Sequence, residues 1–142
     1  MHENIKTACH EIARLCIASR IRRLSRVITS VYDEVLRPLG ITLNQLNMLV
    51  FLSHKENSSL SQIAEGLKLE ISTASRNLNR LRKLRAIEVQ EGKDARVREV
   101  RVSKKGKQLI VKSLPAWRKA QRKASGILAK EGADYFIPQT DH

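Results

Sequence analysis

The sequence predicts a mainly α-helical protein that carries one small β-hairpin. Between residues 60 and 84, two stretches with apolar residues at helical spacing are separated by only a few residues. Two helices so closely connected form a helix-turn-helix. Directly afterwards, the segments "AIEVQ" and "VREVRVS" alternate apolar and polar residues around a polar tip at 92–95. That pattern is typical of two antiparallel strands joined by a turn.

The composition fits a single domain that spans residues 1–142. Hydrophobic residues make up 42% of the chain, which is enough for an ordinary core. No apolar run approaches the roughly 18 residues of a membrane span, and the N-terminus lacks the continuous apolar stretch of a signal peptide. We therefore expect a cytoplasmic protein without a membrane partner. The two cysteines have no CxxC spacing, so they indicate neither a disulfide framework nor a zinc site.

The first part of the chain predicts two helices. Residues 9–36 contain neither Gly nor Pro and keep an apolar stripe, so we expect one long helix that ends before Arg37-Pro38-Leu39-Gly40. At about 1.5 Å per residue it would be roughly 40 Å long. Because a small monomeric core does not cover that length, part of the stripe is expected to meet a second chain. Thr42 is then a candidate N-cap for an apolar helix over 43–52.

The second helix of the helix-turn-helix, predicted over 71–84, has one apolar and one polar face. At 100° per residue, one sector collects Ile71, Ala74, Leu78, Leu81 and Leu84. The opposite side collects hydroxyl, amide and cationic groups from Ser72, Arg76, Asn79 and Lys83, flanked by Thr73, Ser75 and Arg80. No carboxylate lies between Glu70 and Glu88. Such a face suits a polyanion.

Positive charge is concentrated in the same region. The formal net charge is +13, and residues 71–107 hold 12 Lys and Arg against 4 Asp and Glu, whereas residues 1–70 hold 9 against 7. A basic helix face by itself is most often only solvated surface. Combined with a short turn and a hairpin, it is the electrostatic footprint of nucleic-acid binding.

The chain beyond the hairpin predicts one more long helix. Ser103 is a candidate N-cap for a helix that runs to Leu128. A bend is expected at Pro115, where a backbone donor is missing. The remaining residues, 131–142, contain Pro138 and offer little beyond Tyr135, Phe136 and Ile137 for a further helix.

These segments resemble the MarR family of winged helix-turn-helix transcription regulators. In the hairpin, Asp94-x-Arg96 followed by Val100-x-Val102-Ser103-x-x-Gly106 matches the family pattern D-x-R…V-x-L-T-x-x-G in register. The segment Ser72-Thr73-Ala74-Ser75-Arg76, with Leu78, Leu81 and Ile87, follows the family's recognition helix and its exit into the wing. The resemblance covers roughly residues 16–130.

The resemblance implies a homodimer that binds double-stranded DNA. The winged helix-turn-helix would occupy 40–104, and residues 1–37 and 105–142 would form the dimerisation helices. We expect a pseudo-palindromic operator with half-sites about 10 base pairs apart, and a regulator that most often represses. The candidate DNA-binding residues are Ser72, Thr73, Ser75, Arg76, Asn79, Arg80, Lys83, Lys93, Arg96 and Arg98.

Each group of candidate residues has an expected role. Arg76 can make two parallel bonds to guanine, and Asn79 can do the same with adenine. The hydroxyl groups near the start of the helix suit phosphates. In the family, cations of the wing reach the minor groove or the backbone, and the residue that matches Asp94 orients an arginine.

Two other classes of function compete with DNA binding. A winged helix that binds only proteins is the alternative, and it would show no salt-dependent DNA affinity. The sequence shows no Ser/His/Asp set, paired carboxylates or phosphate-cradling glycine loop, so we expect neither an enzyme nor a cofactor. The scattered histidines have no further ligands at metal spacing, and we expect no metal site.

Two routes for releasing DNA remain open. Cys16 lies near several arginines, which lower a thiol pKa, so it is a candidate sensor of peroxide. Packing as a small apolar residue is the more common role of a free cysteine. The resemblance implies instead a small aromatic anion in a cleft between the dimer helices and the DNA-binding part. Arg20, Arg23 and Trp117 are the candidate residues that would bind this anion.

Overall fold

The computed structural model describes residues 4–94 and 96–138. Its elements follow the chain as α1 (Ile5–Leu15), α2 (Ile17–Leu36), α3 (Leu43–His54), α4 (Leu60–Leu67), α5 (Ile71–Lys83), β1 (Ile87–Glu91), β2 (Arg98–Val102) and α6 (Lys104–Lys130). Short 3-10 turns at Arg37–Leu39 and Asp134–Phe136 follow α2 and α6. The predicted class, mostly helical with one antiparallel hairpin, is confirmed.

One core holds α3, α4, α5 and the hairpin together. Its buried residues are Met48, Leu49, Leu52, Ile63, Ala64, Ala74, Leu78, Leu81, Ala86, Ile87, Val100 and Val102. Both helices that start this unit carry a capping box, in which a hydroxyl and a glutamine satisfy the free N–H groups of the first turn. Thr42 and Gln45 form the first box, as predicted for Thr42, and Ser59 and Gln62 form the second.

The turn between α4 and α5 does not begin at Gly66, because α4 continues through this residue and ends at Leu67. The glycine is needed for packing, because a Cβ at this position would overlap the ring of Phe51. The chain turns instead at Lys68, which adopts the left-handed conformation (φ 54°), and the N–H of Leu69 donates to the carbonyl of Ala64 at 2.9 Å.

The hairpin pairs β1 and β2 in the antiparallel register Ile87 with Val102 and Glu91 with Arg98. An isolated bridge between Ser58 and Val100 ties β2 to the loop before α4. The wing is therefore attached to the helix-turn-helix at its base. Ala95, part of the predicted tip, lies outside the described residues.

A second core joins α2, α3 and α6. Its buried residues are Val31, Tyr32, Leu36, Ile41, Leu46, Ala120 and Ala124. Tyr32 donates a hydrogen bond to Gln121 across the α2–α6 contact. Leu84, Leu109 and Ile110 pack against both cores. The two cores are thus continuous, and α3 contributes to each of them.

The first helix departs from the prediction. It is not one helix over 9–36, because Cys16 adopts an extended conformation (φ −65°, ψ 105°) and divides it into α1 and α2. Periodicity could not show this, because Cys16 keeps the helical stripe in register and one extended residue leaves no trace in the pattern. Among the described residues, α1 buries none of its own side chains, and neither of the two cores includes a residue of α1.

In the described ranges, no single helix is long and apolar enough to cross a membrane. Only one pair of the described segments meets the length and composition of a span when the two are taken together, namely Ile17–Leu39 and Leu43–His54, and this pair is bent by 79°. The second member of that pair supplies Met48, Leu49 and Leu52 to the core.

The junction between the hairpin and α6 yields a test of this fold. Ser103 caps α6 by accepting from the Gly106 N–H at 3.0 Å, and its own hydroxyl donates to the Arg85 carbonyl at 2.6 Å. A Cβ at Gly106 would overlap the Ala86 carbonyl oxygen. Gly106→Ala should therefore destabilise the protein by roughly 1–3 kcal/mol, the usual cost of overpacking, as measured by urea unfolding.

Gly126→Ala is the matched control, because it makes the same change in the same helix. A Cβ there meets nothing within 4 Å. It should be neutral or stabilising by up to about 1 kcal/mol, since Ala favours a helix more than Gly does. Equal effects of the two substitutions would show that the contact with Ala86 is not the constraint.

Candidate DNA-binding surface

One face of the helix α5 packs in the core, and the opposite face is exposed. Ala74, Leu78 and Leu81 are buried in the core that includes α3 and the hairpin. The N-cap residue, Glu70, makes no side-chain capping bond. The N–H groups of the first turn are therefore left for an outside acceptor, and a phosphate at a helix N-terminus fits that requirement.

The polar face of α5 has the composition that the sequence predicted. Ser72, Arg76, Asn79, Arg80 and Lys83 are exposed, and Thr73 and Ser75 are half-buried beside them. The Arg76 guanidinium donates to the Thr73 hydroxyl at a long 3.4 Å. The structure thus brings the seven predicted helix residues to one surface, with Arg76 held toward the start of the helix.

Ile71 departs from the predicted apolar sector. It is 54% exposed, because it occupies the first helical position, where no neighbouring element covers that side. Sequence periodicity placed it with the core residues and missed it as part of the surface. An exposed apolar side chain beside hydroxyl and guanidinium groups suits contact with a thymine methyl group.

The wing presents its three predicted cations to solvent. Lys93, Arg96 and Arg98 are all exposed. The Asp94 carboxylate accepts the backbone N–H of Arg96 at 3.1 Å, and the Val97 N–H donates to the Asp94 carbonyl at 2.9 Å. Asp94 therefore orders the turn that carries Arg96. The side-chain pairing that the family resemblance implied for Asp94 is not among the contacts of the described chain.

The candidate cations are not neutralised by neighbours. Within residues 4–94 and 96–138, the ion pairs are Arg101 with Glu88 at 2.8 Å and Lys123 with Glu34 at 3.8 Å. Neither pair includes a candidate DNA-binding residue. The positive potential of α5 and the wing is therefore directed outward, where it can act on a polyanion.

A buried polar link behind α5 escaped the sequence reasoning. Gln45 of α3 is only 2% exposed, and its Nε2 donates to the Asn77 Oδ1 at 3.2 Å. Asn77 in turn donates to the Thr73 carbonyl at 3.1 Å. The capping-box pattern of Thr42 and Gln45 was a signal for a helix start, but not for a contact 32 residues away.

Cys16 is half-buried at the break between α1 and α2. A hydrogen bond from the Ser19 hydroxyl, at 3.3 Å, is the main cause that lowers the pKa of the Cys16 thiol. The backbone N–H of Ser19 adds to it, and Arg22 contributes least. The sequence attributed such a shift to nearby arginines, whereas the structure assigns it chiefly to the serine.

The predicted effector residues lie on two different helices, with Arg20 and Arg23 on α2 and Trp117 on α6. Trp117 lines a cavity of about 270 Å³ between α3 and α6, together with Leu46 and Val50. Arg20 and Arg23 are exposed on α2, away from that lining. A larger cavity, of about 510 Å³, lies at the C-terminal end of α5 and is lined by Asp33, Arg37, Gly40, Ile41, Thr42, Gln45, Arg80, Lys83 and Leu84.

No cluster of three or more metal-ligating side chains occurs in the part of the chain that the structure describes. The surface consists of groups that donate hydrogen bonds and carry positive charge. Its chemistry is that of anion recognition.

Comparisons with known proteins agree on one family. Residues 39–96 match the model described as "MarR family". The transcriptional regulator MosR of M. tuberculosis, solved in complex with DNA, is 32% identical with a TM-score of 0.71, covering 78% of this chain and 81% of that one. No curated protein gives a significant match.

More distant structures share the fold. A mutant of MarR from E. coli, complexed with operator DNA, is 16% identical with a TM-score of 0.73, over 82% of this chain and 84% of that one. BpsR of Bordetella bronchiseptica, whose DNA binding is regulated by 6-hydroxynicotinic acid, is 17% identical with a TM-score of 0.70, over 78% and 79%. With the identity to MosR and the match at 39–96, the chain belongs to the MarR family of DNA-binding transcription regulators.

Proposed function

We propose that this regulator is a repressor that binds a pseudo-palindromic operator as a homodimer and leaves it when a small molecule or an oxidant acts on it. The observation that carries the proposal is the exposed face of α5, which offers hydroxyl, amide and guanidinium groups and no carboxylate between Glu70 and Glu88. A transcription regulator of this kind acts in the cytoplasm. No catalytic step is part of the proposed activity.

The helix α5 enters the major groove with its N-terminal half. Arg76 makes paired bonds to a guanine and Asn79 to an adenine, since these side chains match the donor and acceptor patterns of those bases. Ser72, Thr73 and Ser75 bind phosphates near the helix start. Arg80 and Lys83, further along the same face, bind the backbone.

The wing provides contacts that do not depend on sequence. Lys93, Arg96 and Arg98 are exposed and lack ion-pair partners in the described chain. They suit the phosphate backbone or the minor groove beside the recognition helix. Because many phosphate contacts release counterions, affinity should fall steeply as salt rises.

Exposed apolar side chains support a homodimer. Ile12 is 66% exposed on α1 and Ile17 is 73% exposed at the start of α2, and Ile5, Leu15 and Ile21 are also exposed. An isolated helix as short as α1 is marginal in water, so a second copy is the expected source of its packing. Under this proposal, residues 1–37 and 105–142 form the dimer and 40–104 the DNA-binding unit.

The cavity at the end of α5 is the proposed effector site. Arg37, Arg80 and Lys83 line it beside the apolar Ile41 and Leu84, a combination that suits a small aromatic acid such as the 6-hydroxynicotinic acid of BpsR. Arg80 and Lys83 also belong to the proposed DNA-binding face. A carboxylate bound in the cavity would therefore compete with phosphates for the same cations.

Oxidation of Cys16 is the second proposed signal. The lowered pKa raises the thiolate fraction, and the thiolate is the form that reacts with hydroperoxides. It would take one oxygen from the hydroperoxide, giving a sulfenic acid and the corresponding alcohol. The residue forms the break between α1 and α2, so a new polar group there would act where the proposed dimer helices change direction.

A protein-interaction module is the alternative function. If the protein had this function, it would select no DNA sequence and would show no salt-dependent affinity for DNA. The cations on α5 and the wing, which have no ion-pair partner in the described chain, favour DNA, because a polyanion can contact both groups at once.

The substitutions Arg76→Ala and Arg96→Ala should weaken DNA binding in different ways. Loss of Arg76 removes a base contact, which should cost about 1–3 kcal/mol of discrimination between operator and altered operator. Loss of Arg96 removes a phosphate contact and should weaken binding to every duplex, with a smaller salt slope. Fluorescence anisotropy measures the affinities of each variant for the operator and for the altered operator at several salt concentrations.

Lys55→Ala is the control, because Lys55 is exposed at the end of α3, is not a candidate DNA-binding residue and lies outside the proposed dimer segments. It should leave both affinities unchanged. The opposite pattern for Arg76 and Arg96 would mean that the roles of helix and wing are exchanged.

Ile12→Glu should dissociate the proposed dimer. The substitution places a charge on the exposed apolar face of α1, and burying an unpaired charge at an interface is strongly unfavourable. Thr7→Glu makes the same charge change on the opposite face of the same helix and should leave the dimer intact. Sedimentation at micromolar concentration tests the pair, and a wild-type monomer would refute the dimer.

Cys16→Ser should keep operator affinity and lose any response to hydroperoxide. A hydroxyl replaces the thiol at nearly the same size, but it cannot form a sulfenic acid. Cys9→Ser controls for the other free cysteine, which is exposed on α1. If the wild type keeps its operator during hydroperoxide treatment, or Cys16→Ser loses it equally, Cys16 is only a packing residue.

A further inference from the structure

A chain of hydrogen bonds runs from the start of α3 to the recognition helix α5. The Thr42 N–H donates to the Gln45 Oε1 at 3.1 Å, and the Gln45 Nε2 donates to the Asn77 Oδ1 at 3.2 Å. The Asn77 Nδ2 then donates to the Thr73 carbonyl at 3.1 Å. In each of the two side-chain amides, the oxygen accepts one hydrogen bond and the nitrogen donates one. Each amide is therefore fixed in one orientation.

Local helix capping does not explain this arrangement. The Ser59–Gln62 box at the start of α4 has the same geometry, with the Ser59 N–H donating to the Gln62 Oε1 at 2.9 Å. Gln62 is exposed, whereas Gln45 is buried. Among the hydrogen bonds of the described chain, those of the Gln62 side chain stay within its own box. Gln45 therefore has a role beyond capping.

The link supplies a directional contact that the apolar packing of α5 lacks. Contacts of Ala74, Leu78 and Leu81 are apolar, and such contacts tolerate small rotations. The hydrogen bond between the buried Gln45 amide and the half-buried Asn77 amide tolerates much less, because it weakens steeply with angle and an unmet polar group at Gln45 is costly to bury. The bond to Asn77 thus fixes the rotation of α5 about its own axis.

The link ends beside the proposed base contact. Asn77 binds the carbonyl of Thr73, and the hydroxyl of Thr73 is the acceptor for the Arg76 guanidinium. A rotation of α5 would displace the tip of Arg76 further than any backbone atom, because the side chain is long. Two parallel bonds to one base edge tolerate little displacement.

We propose that Gln45 is a positioning residue for DNA recognition: its hydrogen bond to Asn77 sets the orientation in which α5 presents Arg76 to the base edge. The inference rests on the proposed function, in which α5 enters the major groove. Gln45 itself is buried and does not touch DNA. It acts through Asn77 and Thr73.

Gln45→Glu tests the bond to Asn77 with little change in size. Glutamate is a usual partner at this position of a capping box, so the bond from the Thr42 N–H is retained. The donor is lost, and a carboxyl oxygen faces the Asn77 Oδ1. Gln62→Glu makes the same change in the exposed box and is the matched control.

The readout is the ratio of affinities for two duplexes. One is the sequence that the wild type selects from a random pool, and the other is a scrambled duplex of equal length and composition. Gln45→Glu should lower this ratio roughly 2- to 12-fold, the range for one neutral hydrogen bond, and Gln62→Glu should not. A purely structural loss reduces the folded fraction and lowers both affinities equally, which leaves the ratio unchanged.

Apolar variants cover the case in which a buried glutamate prevents folding. Asn77→Leu removes the partner and leaves the Thr42–Gln45 box intact, and Gln45→Met removes the buried amide. If Gln45 acts through Asn77, the double variant Gln45→Met/Asn77→Leu should lower the ratio of the two affinities no further than Asn77→Leu alone does. Additive losses would overturn the inference.

The outcomes separate this inference from the proposed function. A wild type that selects no sequence refutes the proposed base recognition, and the positioning role with it. A wild type that selects a sequence, with its ratio unchanged in Gln45→Glu and Asn77→Leu, refutes only the positioning role.

Discussion

The packing of one face of α5 against the α3 core is the interaction on which the rest of the structure depends. Because Ala74, Leu78 and Leu81 are buried there, the opposite face of the same helix must point outward, with its hydroxyl, amide and guanidinium groups. The hairpin shares that core through Ile87, Val100 and Val102, so the wing keeps a fixed place beside α5. Since α3 also packs through Leu46 against α2 and α6, the proposed DNA-binding unit and the proposed dimer helices are in direct packing contact.

Much of this could be predicted from residue patterns. Apolar spacing within α3–α5 located the helix-turn-helix, because a half-buried helix must place apolar residues every three or four positions. Alternation located the wing for the corresponding reason in a strand. Ser103 and Gly106 were part of a recognisable motif, and the structure explains the glycine, because the Ala86 carbonyl leaves no space for a Cβ. The DNA contacts of individual residues stay predictions, although their placement on one surface follows from the fold.

Other features depend on tertiary context that periodicity cannot report. The break at Cys16 keeps the apolar stripe in phase, so a continuous helix and two helices give the same pattern. Ile71 satisfies the helical spacing yet is exposed, because burial at a helix end depends on whether another element lies over it. Gln45 looks like an ordinary capping residue until α5 is placed against it. The cavity at the end of α5 gathers residues from several segments, and no local motif predicts such a cavity.

Selection of bound DNA from a random pool tests the central claim most directly, followed by footprinting of the selected sequence. Two recognition helices related by a two-fold axis predict an inverted repeat whose half-sites are about 10 base pairs apart, or one helical turn. Protection should be symmetric about its centre. Enrichment of a single asymmetric site, or of no sequence at all, would contradict the account of a dimer that presents two copies of the same α5 face.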